Sequence, residues 1–123
     1  MGRGMRLQDL IVSPEAIAPY EPPRHPRTVN RTLVPPPGIP AGKLEVALGV
    51  VQPGGQALLH VHEDLDQAVY VLEGRCLVSD GKESAEMGRN EIVYFPAGFP
   101  HEITALGQDP LRILVILAPP LHR

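Results

Sequence analysis

Nine of the 15 prolines in this 123-residue chain stand before residue 41, at Pro14, Pro19, Pro22, Pro23, Pro26, Pro35, Pro36, Pro37 and Pro40. A proline lacks the backbone donor and disfavours helical backbone at the residue before it. Residues 13–42 therefore read as an extended, irregular arm in which helix is not expected. Ile11, Val12, Ile17, Tyr20, Val29, Leu33 and Val34 give that arm apolar handholds, and the expectation is that it packs along a barrel wall or a neighbouring subunit.

From Lys43 onward the texture changes to short Val-, Leu- and Ile-rich runs punctuated by Gly and Pro, the pattern of an all-β barrel or sandwich. Strands are expected over 44–51, 68–72, 92–95, 101–106 and 111–117. Turns are expected at Pro53-Gly54-Gly55, Glu73-Gly74, Asp80-Gly81 and Pro96-Ala97-Gly98, with Asp80-Gly81 a two-residue hairpin signal. No useful helical periodicity and no internal repeat interrupts this pattern. The domain reading is an arm over 1–42 and one β-barrel domain over 43–123, which 43% hydrophobic content can fill with a single core.

A net charge of -3 offers no long-range attraction to a phosphate backbone or an anionic membrane, so neither nucleic acid nor membrane is expected as a partner. The most apolar run, 113–118, is too short to span a bilayer and reads as a buried strand. The basic residues near the start are followed by no apolar stretch of signal-peptide length, so a cytoplasmic location is expected. The single cysteine, Cys76, fits a reducing compartment and reads as a small buried hydrophobe.

Chemistry enters at His60 and His62, which stand two apart in an extended segment, so both rings should leave one face of a strand in a chelating arrangement. Period-two alternation puts Gln56 and Leu58 on that same face and Ala57, Leu59 and Val61 on the other. By itself such a pair is weak evidence, because histidines on strands are more often solvated or satisfied in the core.

The residues around the pair extend it into a longer pattern. Gly54 is followed by five residues and His60-Val61-His62, then four residues to Gln67 and six more to Gly74; further on stands Pro96-Ala97-Gly98-Phe99-Pro100-His101. In these two stretches the chain resembles the cupin superfamily over roughly Lys43 to Leu117. It departs from the family pattern at Gln67 (usually Glu), Asn90 (usually Gly) and Ala105 (usually Asn). The resemblance implies a cupin double-stranded β-helix, a jelly-roll-like barrel of two antiparallel sheets behind the proline-rich arm. It also implies one divalent metal ion held inside by His60, His62, His101 and Gln67. Asp66 is also within tolerated spacing, but only Gln67 lies three residues before Tyr70 and seven before Gly74, where the family's acid falls. Alternation turns Gln67, Val69 and Val71 inward and Asp66 outward. Glu63, Asp64 and Asp66 read as a solvated loop.

Three neutral imidazoles and a neutral amide leave the charge of such an ion uncompensated, which strengthens it as a Lewis acid. The donor set suits Fe, Mn, Ni, Cu or Zn. By parity Gln56, Leu58, Val69, Val71 and Ile103 should line the pocket, with Phe99 at its mouth and room for a small substrate. The resemblance permits dioxygenase-type chemistry, toward which the expectation leans. It equally permits non-redox lyase or isomerase chemistry like that of hydroxynitrile lyase-like and uronate ring-opening cupins. A small-ligand-binding module without catalysis is the third possibility. No general base could be assigned. Cupins commonly pair, so a homodimer is expected.

Overall fold

The computed structural model describes residues 5–121; the first four residues of the basic start lie outside it. Nine strands form among the described residues: β1 (Thr28–Val34), β2 (Glu45–Val51), β3 (Gln56–His60), β4 (Asp66–Glu73), β5 (Arg75–Ser79), β6 (Ser84–Gly88), β7 (Ile92–Phe95), β8 (His101–Leu106) and β9 (Leu111–Ala118). They make two antiparallel sheets, one ordered β1-β2-β9-β4-β7 and the other β3-β8-β5-β6. Consecutive strands β4 and β5, or β7 and β8, lie in different sheets, so the chain wraps repeatedly around one interior. No helix among these residues is long and apolar enough to cross a membrane.

The arm is more ordered than its prolines imply. Thr28–Val34 falls between Pro26 and Pro35, so its own backbone donors are intact, and it pairs with β2 from Thr28↔Val51 to Val34↔Val46. A further stretch folds back on its outer edge, where Tyr20 and Asn30 exchange backbone hydrogen bonds of 2.9 and 2.8 Å. That cover blunts an open sheet edge. Two 3-10 turns also occur, Leu7–Leu10 ahead of the proline-rich stretch and Pro14–Ala16 inside it, where no helix was expected. They are single turns, and Pro14 sits at the first position, where a missing donor costs nothing.

Alternation decides which side chains meet inside. In β4, Gln67, Val69 and Val71 are buried while Asp66 and Glu73 are exposed; in β8, His101, Ile103 and Ala105 are buried. Of these, Val69, Val71, Ile103 and Ala105 pack with Val51, Cys76, Phe95, Leu111 and Ile113 into one core. Each fully buried Val or Leu contributes about 1.5–3 kcal/mol relative to exposure. Cys76 is sealed in this core, where burial pushes its thiol up to about 11.

The turns follow their residues with one difference. Gly54, Gly74 and Gly98 take positive φ at the expected turns, and Asn90 takes φ 69 where the family pattern has glycine. The β5–β6 connection is a four-residue loop rather than two, because Ser79 pairs with Ser84. Asp80 explains it: its Oδ1 accepts from the backbone N–H of both Lys82 and Glu83 at 2.8 Å, which satisfies the longer turn.

Candidate metal centre

His60 is the last residue of β3 and His101 the first of β8, and the two are register partners across the sheet. His62 follows in the loop beyond β3. That loop is tied to the second histidine stretch, since Gly98 N–H, at φ 85, donates to His62 O at 2.8 Å. The ring centroids lie 4.7 Å apart for His60–His62, 4.3 Å for His60–His101 and 5.5 Å for His62–His101. One nitrogen from each ring comes within 4.8 Å of the other two, a spacing at which three donors can share one cation.

The tautomers are set by local geometry. Nδ1 of His60 lies 2.6 Å from Leu58 O and Nδ1 of His101 lies 2.9 Å from Phe99 O, in each case the carbonyl two residues back. A carbonyl only accepts, so both Nδ1 atoms carry a proton, and in the neutral tautomer this selects each Nε2 presents the lone pair. His101 is 2% exposed, and the Phe95 ring stacks on it at 4.2 Å and 6°. Its Nε2 is buried with no hydrogen-bond partner among the described residues. An unpaired buried acceptor costs about 1–3 kcal/mol, which a bound cation would remove. Burial pushes His101 down to about 4, against one weaker opposing bond from Phe99, so the ring is a neutral donor at neutral pH. His62 is also lowered, first by burial and then by the charges of His60 and His25. These residues fit a divalent ion.

Gln67 faces the same interior and its amide makes no hydrogen bond to the described residues. Asp66 turns outward, and its Oδ1 accepts from Ala97 N–H at 2.9 Å, fastening the loop that precedes His101. A cavity of about 620 Å³ opens beside His60, His62 and Gln67, walled by Ala47, Val69, Ile103, Ile113, Val115 and Leu117.

Of the expected lining, Val69 and Ile103 are present, whereas Gln56, Leu58, Val71 and Phe99 are placed elsewhere. The cause in β3 is a register shift between Ala57 and His60, which breaks the alternation. Ala57 thus reaches the cavity, while Gln56 joins the outer face and donates from Nε2 to Thr104 Oγ1 at 3.3 Å. Val71 points inward but lies in the packed core. Phe99 stacks on Phe95 at 6.2 Å and lines a separate open groove.

One residue near the centre escaped sequence reasoning. His25 of the arm lines the cavity, with its ring centroid 5.7 Å from that of His60. Burial lowers its pKa, more than the Pro23 carbonyl raises it. A lone histidine among prolines carries no spacing signal that could have found it.

Comparison with known proteins agrees with this architecture. Residues 47–117, more than half of the chain, match the family model described as the Cupin domain. An uncharacterized protein of Methanocaldococcus jannaschii is 36% identical over 78 residues, 63% of this chain and 62% of that relative. This chain thus spans less than two thirds of that relative's length. A crystal structure from Bacillus halodurans is 34% identical with TM-score 0.62, covering 66% of each chain. The polyketide cyclase RemF of Streptomyces resistomycificus is 25% identical with TM-score 0.73, covering 89% of this chain and 78% of its own.

Proposed function

The chain belongs to the cupin family, and from that premise we propose that it is a metal-dependent enzyme acting on a small oxygen-bearing substrate. In this reading His60, His62 and His101, with Gln67, hold one divalent ion. The observation that carries it is the buried Nε2 of His101, without a hydrogen-bond partner among the described residues, on a ring that brings a nitrogen within 4.8 Å of nitrogens on His60 and His62. When bound, the ion would supply Lewis acidity, and a redox metal would add dioxygen chemistry.

The protein's own contribution is to prepare the donors and to give the cavity a largely apolar inner wall. The carbonyls of Leu58 and Phe99 fix two imidazoles as Nε2 donors, so little reorganisation is needed on binding. Val69, Ile103, Ile113, Val115 and Leu117 give the cavity a largely hydrocarbon wall on the barrel side, which lowers the local polarity around a bound ion. A cavity of about 620 Å³ suits a small organic molecule. Similarity to a polyketide cyclase at 25% identity supports an enzyme over a passive binding module.

Because no carboxylate in the donor set offsets the ion, this reading puts Lewis-acid chemistry ahead of the dioxygenase-type chemistry toward which the family resemblance leans. Turnover of a panel of small hydroxy and keto acids, followed with and without dioxygen, tests this. Metal-dependent turnover that persists anaerobically supports it. Turnover only with oxygen uptake makes the protein a dioxygenase, and metal-dependent binding with no turnover of any candidate makes it a binding module.

A further inference from the structure

Between Tyr20 and β1 the arm crosses from the five-stranded sheet to the edge of the four-stranded one. Arg24 O accepts from Leu58 N–H at 3.0 Å and Pro26 O accepts from Gln56 N–H at 3.2 Å. That is the spacing of an antiparallel strand laid beside β3, the edge strand of its sheet. Arg24 Nη2 adds a bond to Leu59 O at 3.1 Å, and Arg27 Nε one to Pro53 O at 3.0 Å. Arg24 and Arg27 take left-handed φ of 60 and 61, conformations that persist only where the surroundings enforce them and that cluster at ligand clamps. Gly55 allows this approach, because a Cβ there would meet Pro26 O at 3.0 Å and Val51 Cγ1 at 2.6 Å.

What this docking carries to the cavity is His25. Its Nδ1 lies 2.6 Å from Pro23 O, so the neutral ring is protonated there and its Nε2 is an acceptor. The ring is close to His60, yet His25 is outside the three residues whose nitrogens come mutually within 4.8 Å. It stands beside the candidate donor set without joining it. Arg24, next in the chain, also lines the cavity and is the one arginine or lysine among its described lining residues.

We propose that His25 is a substrate-contacting residue, its Nε2 accepting a hydrogen bond from the hydroxyl of a small hydroxy-carboxylate whose acid group is drawn by Arg24. This role rests on the metal-holding reading above, which supplies the anchor for the ligand's other oxygen. It gives the arm a specificity function: a ligand able to donate beside His60 is preferred over an isostere that is not.

Glycolate and methoxyacetate separate the possibilities, because both can chelate but only glycolate offers a hydroxyl proton. Calorimetric titration of each into zinc-loaded wild type, His25→Phe and His25→Ala is the test, with zinc content and unfolding midpoint measured on every sample. The expected result is glycolate affinity about fivefold to tenfold weaker in both variants, one neutral hydrogen bond, with methoxyacetate affinity and zinc content unchanged. Equal loss for both ligands, no loss for either, or no glycolate binding by the zinc-loaded wild type overturns the role. Zinc lost only from the His25 variants also overturns it, since His25 would then be a ligand. Wild type that holds no zinc sinks the metal reading itself, and this role with it.

Discussion

His60 and His101, 41 positions apart in sequence, are paired directly across β3 and β8 with ring centroids 4.3 Å apart. The pairing makes the two histidine stretches one site. It also gives the site a mechanical origin, since any change of β3–β8 register would separate the rings.

Metal retention should therefore depend on each imidazole separately. In protein dialysed against metal-free buffer, His62→Ala and His101→Ala should each lose more affinity than the ~10- to 100-fold typical of removing an outer partner of a ligand. Gln67→Glu should retain metal and bind it more tightly, because a carboxylate offsets the ion's charge. Elemental analysis reads both outcomes; full metal occupancy in His62→Ala would contradict the assignment.

Stability of the metal-free protein should fall with acid over a defined window. Burial holds His101 at about 4 against an ordinary 6.5, so the unfolded chain takes up a proton that the folded ring refuses. The contribution is complete above the ordinary value and is lost as pH falls through 6.5 toward 4, at up to about 1.4 kcal/mol per pH unit and about 3 kcal/mol in total. His25 and His62, also lowered, act in the same direction. Urea unfolding of chelator-treated protein at about pH 7 and about pH 4.5 should show this slope, and His101→Phe should flatten it. An equal slope in the variant would place the acid sensitivity elsewhere.

Two glycines should separate backbone strain from steric conflict. Gly74 has φ +89, and a Cβ there would meet Pro110 O at 2.9 Å and Leu111 Cα at 3.0 Å, whereas Gly107 has φ +78 with nothing within 4 Å. Gly107→Ala should cost only the left-handed conformation, about 1–2 kcal/mol. Gly74→Ala should cost clearly more, because the backbone at the start of β9 must also move. Equal losses in denaturant midpoint would show that the contact at Leu111 yields freely.

The sequence is most informative where chemistry is local. Ile92–Phe95 and His101–Leu106 are legible because Pro96-Ala97-Gly98 punctuates them, and Asn90 because few residues besides glycine accept its backbone. The inward face of Gln67, Val69 and Val71 follows from period-two alternation. What was hidden is set by distant partners. The shift between Ala57 and His60 arises in pairing with β8 and leaves no residue signature, so parity misassigned Gln56 and Leu58. β1 was masked by its flanking prolines, and His25 reaches the cavity because the arm is held against β3, among other bonds by the backbone N–H groups of Leu58 and Gln56.

The most direct measurement is anomalous diffraction at a metal absorption edge from a crystal of the metal-loaded protein. A single strong peak about 2.1 Å from one nitrogen each of His60, His62 and His101 is the expected result. A map with no peak there, while the loaded metal appears elsewhere or nowhere, would contradict the account.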